Sequence, residues 1–487
     1  MYVKDYGEAD MKFRRMRLTQ RKVANQNFKA IVDPGQFRPI RSILLLAWPV
    51  VIEMGLHTFV WIFDTAMVMR LGAREATAVE FGAIVLFNAL FILGALGIGA
   101  NSLVARYTGA KEMKAAALTG GQALSVSFII TALFTALSLL GYKPLFGSVI
   151  KDPITVALTL DYFYYALVSG GFALLPLVVA SGIIRGVGNT KVPMVIALIA
   201  NVYNVIGDYL LIFGHFGFPA LGVKGAALAT GSAQLIALIL SLAYLFFQRG
   251  ALPFSLHSLF PLDKEVIRKL LKLSIPAGAE ELTNSGSRMI TAGWITFLGP
   301  VAFAANAAAI AAEAFSFMPG QAFAIAATTL VGQRLGAGFI KQARDSGYWA
   351  VVIATCLMSL FGLIFFFFPY LVMSLFDPPD PEVLRLGILC LQIAAFEQPF
   401  IALTMGFSGA LKGIGDTKGP FRIGLYSNLF IRLPLIYAAI YIWHLQIYHI
   451  WWITALQYAV SSIFLYWRYR NKDWEGLEPV PTTENVG

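Results

Sequence analysis

A nine-residue signal occurs twice in this chain. RGVGNTKVP runs from Arg185 to Pro193 and KGIGDTKGP from Lys412 to Pro420, 227 positions apart. The echo extends well beyond these turns. LVARYTGAKEMKAA (Leu103–Ala116) aligns with LVGQRLGAGFIKQA (Leu330–Ala343), and PVVIE…RLG (Pro49–Gly72) with PAGAE…FLG (Pro276–Gly299), at the same offset. Three echoes at one constant offset mark an internal duplication. Whatever unit the first half folds into, the second half must build again.

Composition says what that unit is made of. Hydrophobic residues make up 58% and charged residues 13% of the 487. Soluble domains carry about 25% charged residues, so an ordinary soluble fold is excluded. Twelve apolar segments lie near 42–70, 79–103, 120–142, 158–184, 192–213, 224–247, 267–298, 302–330, 346–375, 384–411, 420–441 and 448–467. Each reaches the roughly 20 residues a helix needs to span hydrocarbon. Several are longer, which predicts tilt or kinks, with Pro49, Pro176, Pro276, Pro319, Pro399 and Pro434 as kink sites. No apolar core precedes residue 42, so no cleavable signal peptide is expected. Cys356 and Cys390 both fall in apolar runs and are expected to be buried small hydrophobes.

The net charge of +10 is a topology signal rather than a nucleic-acid one. Ten Lys or Arg, against four acids, lie in residues 1–41. One set of connections carries Arg106, Lys111 and Lys114; Arg185 and Lys191; Arg249, Lys264, Arg268 and Lys269; Arg334, Lys341 and Arg344; Lys412, Lys418 and Arg422. The opposite set holds only Arg74, Lys143, Lys151, Lys224 and Arg385 as clear members. Both termini join the basic set, which the positive-inside rule assigns to the cytoplasm. The basic leader also suits contact with anionic lipid.

The expected fold is therefore an all-α polytopic membrane protein of twelve transmembrane helices in two parallel six-helix repeats. Six spans per copy keep both copies in one orientation, related by an axis along the membrane normal. The expected organisation is a basic cytoplasmic segment 1–41, an N-lobe 42–247, a cytoplasmic linker 248–266, a C-lobe 267–467 and a cytoplasmic tail 468–487, disordered from Asp473. The doubled signal is the basic-side turn between the fourth and fifth helix of each lobe. Glycine permits the turn, Asn189 or Asp416 forms an Asx-type cap, and proline opens the next helix. Its role is structural, because no strand precedes it to make a phosphate-binding loop.

The chain resembles the multidrug and toxic compound extrusion (MATE) transporters over roughly residues 40–467. The residues that carry the resemblance are FDTAMVMRLG in the first helix, the two turns R/K-G-x-G-[ND]-T-K-x-P, the NVYNVIGDYLLIFG run and GVKGAALAT at the start of the sixth helix. It implies an ion-coupled exporter: a secondary antiporter that moves organic, cationic or amphipathic compounds out in exchange for H⁺ or Na⁺. Its two lobes would give alternating access, with the substrate between them near the midplane. The implied partners are a small organic substrate, the coupling cation and membrane lipid, with no nucleic acid. The protein would be a monomer of the inner (plasma) membrane, with no cofactor and no bound metal.

A carboxylate at mid-helix depth costs about 2.5–3.5 kcal/mol, so buried acids are the first site candidates. Asp64 lies eight residues before Gly72 in the first helix, and Asp208 six before Gly214 in the fifth. Both helices run outward, so the two carboxylates reach similar depth. Asn201, Asn204 and Asp208 share one helix face. This group either holds a cation or proton, or merely locks helices together by hydrogen bonds. The resemblance implies the first: Asp64 and Asp208 match the family's N-lobe ion site, with Asn204 and Thr230 as supporting polar residues. Tyr164 or Tyr165 would line the same cavity.

The second lobe departs from one branch of the family. NorM-like members carry a Glu where this chain has Asn284 and an Asp where it has Ile401. This favours the DinF-like branch, in which the N-lobe acids dominate. Glu281, Asn284 and Arg288 share a face, so Glu281 and Arg288 form either an internal ion pair or part of a relocated site. Glu313 and Glu397 are further cavity candidates, Arg432 faces a cavity or pairs with Glu397, and Glu53 invites pairing with His57. The 13 Met and 38 Phe suit adaptable binding of apolar cations, though most must face lipid or neighbouring helices.

Two other function classes stand beside this one. A flippase for a lipid-linked precursor would need a cationic cavity, and Arg288, Arg422 and Arg432 are the only deep arginines, two of them near the cytoplasmic edge. A membrane enzyme would need catalytic motifs, but HExxH and GxSxG are missing and the five histidines are scattered. A major-facilitator transporter also has six plus six spans, but its usual second-to-third loop signature does not appear in Leu103–Ala116.

Overall fold

The computed structural model describes residues 38–247, 252–376 and 380–477. The basic leader through residue 37, Arg249 and the tail from residue 478 lie outside the described residues. Twelve long helices follow in chain order: α1 (Pro39–Met69), α2 (Ala73–Leu93, continued after a break at Gly94 as Ala95–Gly109), α3 (Met113–Val149), α4 (Pro153–Gly186), α5 (Lys191–Phe213) and α6 (Val223–Phe247) form the first set. The second set is α7 (Lys264–Ile295), α8 (Pro300–Gly336), α9 (Ile340–Phe367), α10 (Pro381–Gly413), α11 (Lys418–Ile442) and α12 (Ile447–Arg470). Nine helices among the described residues are long and apolar enough to cross a bilayer. The other three are α2, broken at Gly94, and the more polar α7 and α12. Each expected span falls on one of these helices, except that 346–375 also takes in a separate short helix, Pro369–Ser374, and 79–103 crosses the break at Gly94; no strand occurs among the described residues. The helices overrun the apolar segments at the basic end, where Arg334, Lys412 and Arg470 extend them.

Two of the six expected kink prolines, Pro176 and Pro434, follow a widened turn, whereas Pro49, Pro276, Pro319 and Pro399 lie within uninterrupted helix. The π-helical turn Asn428–Arg432 of α11 ends two residues before Pro434, and the turn Leu167–Gly171 of α4 precedes Pro176. An extra residue in the turn absorbs the missing proline N–H.

The duplicated turns are built alike. Gly188 (φ 92°) and Gly415 (φ 81°) supply the left-handed backbone. The Val192 N–H donates to Asn189 Oδ1 at 3.2 Å, and the Gly419 N–H to Asp416 Oδ1 at 3.0 Å. These are the expected Asx caps, one per copy.

The first helix of each repeat crosses between two cores. Ile43, Leu46 and Ala47 of α1 pack with Phe323, Val351 and Leu411 of the second repeat, whereas Val68 packs with the first. Leu270 and Leu273 of α7 pack with Leu96, Val104 and Leu124 of the first repeat, whereas Ile295 packs with the second. The lobes therefore interlock at the basic end. There, Ser102 Oγ donates to the Lys412 carbonyl (2.7 Å), Gln333 Nε2 to the Gly186 carbonyl (2.8 Å) and Thr329 Oγ1 to Asn101 Oδ1 (3.1 Å). A Cβ on Gly109 would strike the Gln333 carbonyl, and one on Gly336 the Arg106 carbonyl, which is the same contact moved by 227 positions. Only small residues permit backbones to approach this closely.

Two expectations change. The tail does not become disordered at Asp473: Trp474 is buried and its Nε1 donates to the Tyr469 carbonyl at 3.1 Å, because its ring completes the C-lobe core. Cys356 is exposed on α9, and only Cys390 is buried. Within the linker, the one-turn helix Leu256–Leu259 is clamped onto α3.

Candidate functional site

Four helices bring the first-lobe candidates together. Asp64 sits on α1; Asn201, Asn204 and Asp208 on α5; Thr230 on α6; and Tyr162 on α4. Asn201, Asn204 and Asp208 all face the interior, and Asp208 is 0% exposed. Asn204 Nδ2 donates to Asp208 Oδ2 at 3.2 Å and lies 3.5 Å from Thr230 Oγ1. The Asp64 and Asp208 carboxyls come within hydrogen-bonding reach of each other. Asp64 Oδ1 and Asp208 Oδ1 are buried with no donor among the described residues, and Asn201 Nδ2 is buried with no acceptor. Two carboxylates this close repel each other when both are ionised.

The tyrosine beside these acids is Tyr162. It is 4% exposed and sits in the field of Asp64, Asp208 and Glu80, packed under Gly82 of α2. Tyr164 is 41% exposed and meets Tyr165 edge-on. The signal that finds Tyr162 is the stripe Thr155, Thr159, Tyr162, Ala166, which marks the buried face of α4 at helical spacing.

The second-lobe candidates divide into neighbouring groups. On α7, Glu281 Oε1 lies 3.6 Å from Arg288 Nη2, and Ser285 bridges them. Asn284 Oδ1 accepts from Asn428 of α11 at 3.0 Å. Between α8 and α10, Gln398 Nε2 donates to Glu313 Oε1 (3.0 Å) and Gln398 Oε1 accepts from Ser316 (2.7 Å). Glu397, 2% exposed, lies in the field of Glu313 and Arg432. No ion pair within 4 Å joins Arg432 to Glu397 among the described residues. Ile401, at the position of the missing aspartate, is fully buried in the apolar core.

Glu53 does not take His57 as its ion-pair partner. It reaches across to α4, with Oε1 2.6 Å from Arg185 Nη2. Moved by 227 positions, that pair becomes Glu280 and Lys412, 3.0 Å apart. Sequence spacing along one helix missed both pairs, because each partner comes from another helix.

A duplicated helical membrane protein with an enclosed carboxylate pair in its first lobe belongs to the class of multi-pass transporters. The MatE family model matches it twice, over residues 49–210 and 276–438, and the chain belongs to that family. The two matches begin at Pro49 and Pro276, the offset of the internal repeat. The family transports solutes and is not enzymatic. The chain is 26% identical over 439 residues to the uncharacterized transporter YisQ of Bacillus subtilis, covering 89% of this chain and 94% of the relative. It is 27% identical over 430 residues to a probable multidrug resistance protein NorM of Thermotoga maritima, covering 87% and 91%. The fold matches an outward-facing multidrug resistance MATE transporter of the MOP superfamily with a TM-score of 0.85 at 21% identity, covering 93% of this chain and 99% of that one. A MOP superfamily transporter from Pyrococcus furiosus, described as having a binding pocket of reversed polarity, matches with a TM-score of 0.85 at 20% identity and the same coverage.

Proposed function

We propose that this protein is a secondary antiporter that exports organic cationic or amphipathic compounds in exchange for H⁺ or Na⁺. The observation that carries the reading is the meeting of Asp64 and Asp208 in an enclosed site, with Asn204 holding one Asp208 oxygen. An ion entering from outside binds between the two carboxyls, drawing α1 and α5 together. Substrate binding favours the arrangement without the ion, and the difference in affinity is what couples the two fluxes. Asn201, Thr230 and Tyr162 support the ion site. Asn284, Glu281, Glu313 and Glu397 line the path of the substrate's cationic group. The lobes, 42–247 and 267–467, rock about the interlocked α1 and α7.

Asn284 and Ile401 in place of acids support the DinF-like branch, with coupling centred on the first lobe. The basic end, with both termini, is cytoplasmic in a bacterial inner membrane. The flippase alternative draws little support from its arginines. Arg288 is paired with Glu281, Arg422 is exposed at the basic end, and Arg432 faces two glutamates.

The test is efflux of ethidium from vesicles under an imposed inward H⁺ or Na⁺ gradient, with wild type and Asp64→Asn compared. Gradient-driven efflux that disappears in the variant is expected, and the gradient that works names the ion. Unchanged efflux in the variant would remove Asp64 from the mechanism.

A further inference from the structure

A groove of about 660 Å³ opens at the basic end between α1 and α9. Its floor is Leu44, Leu45, Trp48 and Trp349, and its rim carries Arg38 and Arg41. Lys191 adds a third cation, its Nζ 5.8 Å from the Trp48 ring centroid. Both arginines are exposed and neither has an ion pair among the described residues. We infer that this groove is a binding site for one anionic phospholipid, with its phosphate between Arg38 and Arg41 and an acyl chain along Trp48 and Trp349.

The internal repeat supplies the argument. Moved back by 227 positions, Tyr348, Trp349 and Val352 become Gly121, Gln122 and Ser125 of α3. There the corresponding surface between α3 and α7 is covered by the linker. Gln122 Nε2 donates to the Ser258 and Pro261 carbonyls at 3.2 and 3.0 Å, and Ser125 Oγ to the Leu259 carbonyl at 2.9 Å. Gly121 allows the approach, since a Cβ there would strike the Ser258 carbonyl. At the groove each of these clamps is gone. Tyr348, 48% exposed, stands where the linker backbone would lie, and Trp349, with one N–H donor and no acceptor, cannot reproduce the paired donor and acceptor by which Gln122 also accepts from the Asp263 N–H at 2.9 Å.

The replacement residues have a chemistry of their own. Exposed Trp and Tyr beside Arg at a helix end are the side chains that sit at a lipid headgroup boundary. Cations beside a cleft between membrane helices select anionic headgroups. One rim position changes sign between the copies, Arg38 corresponding to Glu265, whereas Arg41 and Lys191 correspond to Arg268 and Lys418. The chain's own leader complements it poorly, because residues 1–37 carry eight Lys or Arg against four acids.

Native mass spectrometry of the full chain tests this. The purified protein is titrated with phosphatidylglycerol or with phosphatidylcholine of the same acyl chains. Wild type is expected to retain one phosphatidylglycerol in preference to phosphatidylcholine. Arg38→Gln/Arg41→Gln should weaken that binding by about tenfold or more. Lys111→Gln/Lys114→Gln, which removes the same charge elsewhere on the basic end, should leave it unchanged. If the double variant does not fold, Arg41→Gln alone should lose part of the affinity. Equal retention of the two lipids, or equal loss in both charge variants, would overturn the proposal. So would tight binding that appears only after residues 1–37 are deleted, which would assign the groove to the leader.

Discussion

Glu280 Oε2 lies 3.0 Å from Lys412 Nζ, and the same contact moved by 227 positions is Glu53 with Arg185 at 2.6 Å. Each pair ties the first helix of a repeat to the end of its fourth, where the doubled turn begins. All four side chains are 8–16% exposed, so breaking a pair leaves a largely desolvated charge. Lys412→Met should therefore cost about 3 kcal/mol, seen as a lower unfolding temperature in detergent. Adding Glu280→Gln should recover much of the loss. Arg185→Met with Glu53→Gln should behave the same way, and simple additivity in both cycles would deny the pairs this role.

The facing contacts Gly109–Gln333 and Gly336–Arg106 hold the lobes together at the basic end. Gly109→Leu should force them apart. In a background with Cys356 and Cys390 replaced by Ser, labelling of Ser102→Cys by a water-soluble maleimide should rise several-fold with the leucine present. Ser102 is 1% exposed in the closed arrangement, so unchanged labelling would show that the contact does not govern closure.

Asp416, in the turn between α10 and α11, gives a pH dependence. Burial by itself would raise its pKa, but the paired bonds from Arg468 (2.9 and 3.1 Å), Lys472 at 3.5 Å and the Gly419 N–H outweigh it. The carboxyl is held below its ordinary value. A depressed pKa adds stability above the unfolded value, about 3.9, and loses it as pH falls through the folded one. Wild type should lose stability below about pH 4. Asp416→Asn, which keeps the side-chain cap, should be about 1–2 kcal/mol less stable at pH 7 and lack that part of the acid loss. Parallel pH curves for the two proteins would contradict this.

Periodicity and the repeat made the architecture legible, because membrane helices must be long and apolar and a duplication preserves register. Asp64 and Asp208 were legible as a pair, since depth along two outward-running helices follows from counting residues. The partners of Glu53 and Glu280 were not, because each reaches a helix more than 130 residues away. Tyr162 was hidden for a related reason. In DYFYY several rings compete, and only packing against α2 decides which one turns inward. The Glu313–Gln398 bond joins α8 to α10, and nothing local to either helix announces it.

Asp208→Asn separates coupling from scaffolding. An amide keeps a hydrogen-bonding group beside Asn204 while removing one buried carboxyl. Stability should hold or rise by up to about 1 kcal/mol, while gradient-driven efflux falls to background. Intact efflux with unchanged stability would make Asp208 a helix lock only.

The most direct measurement is ion release on substrate binding. Ethidium is added to the detergent-purified protein in weakly buffered solution, with a pH dye or a sodium-selective probe recording the response. We predict that wild type releases H⁺ or Na⁺ as ethidium binds, and that Asp64→Asn and Asp208→Asn bind ethidium with no release. Equal release from wild type and both variants would place the coupling ion elsewhere and contradict the account.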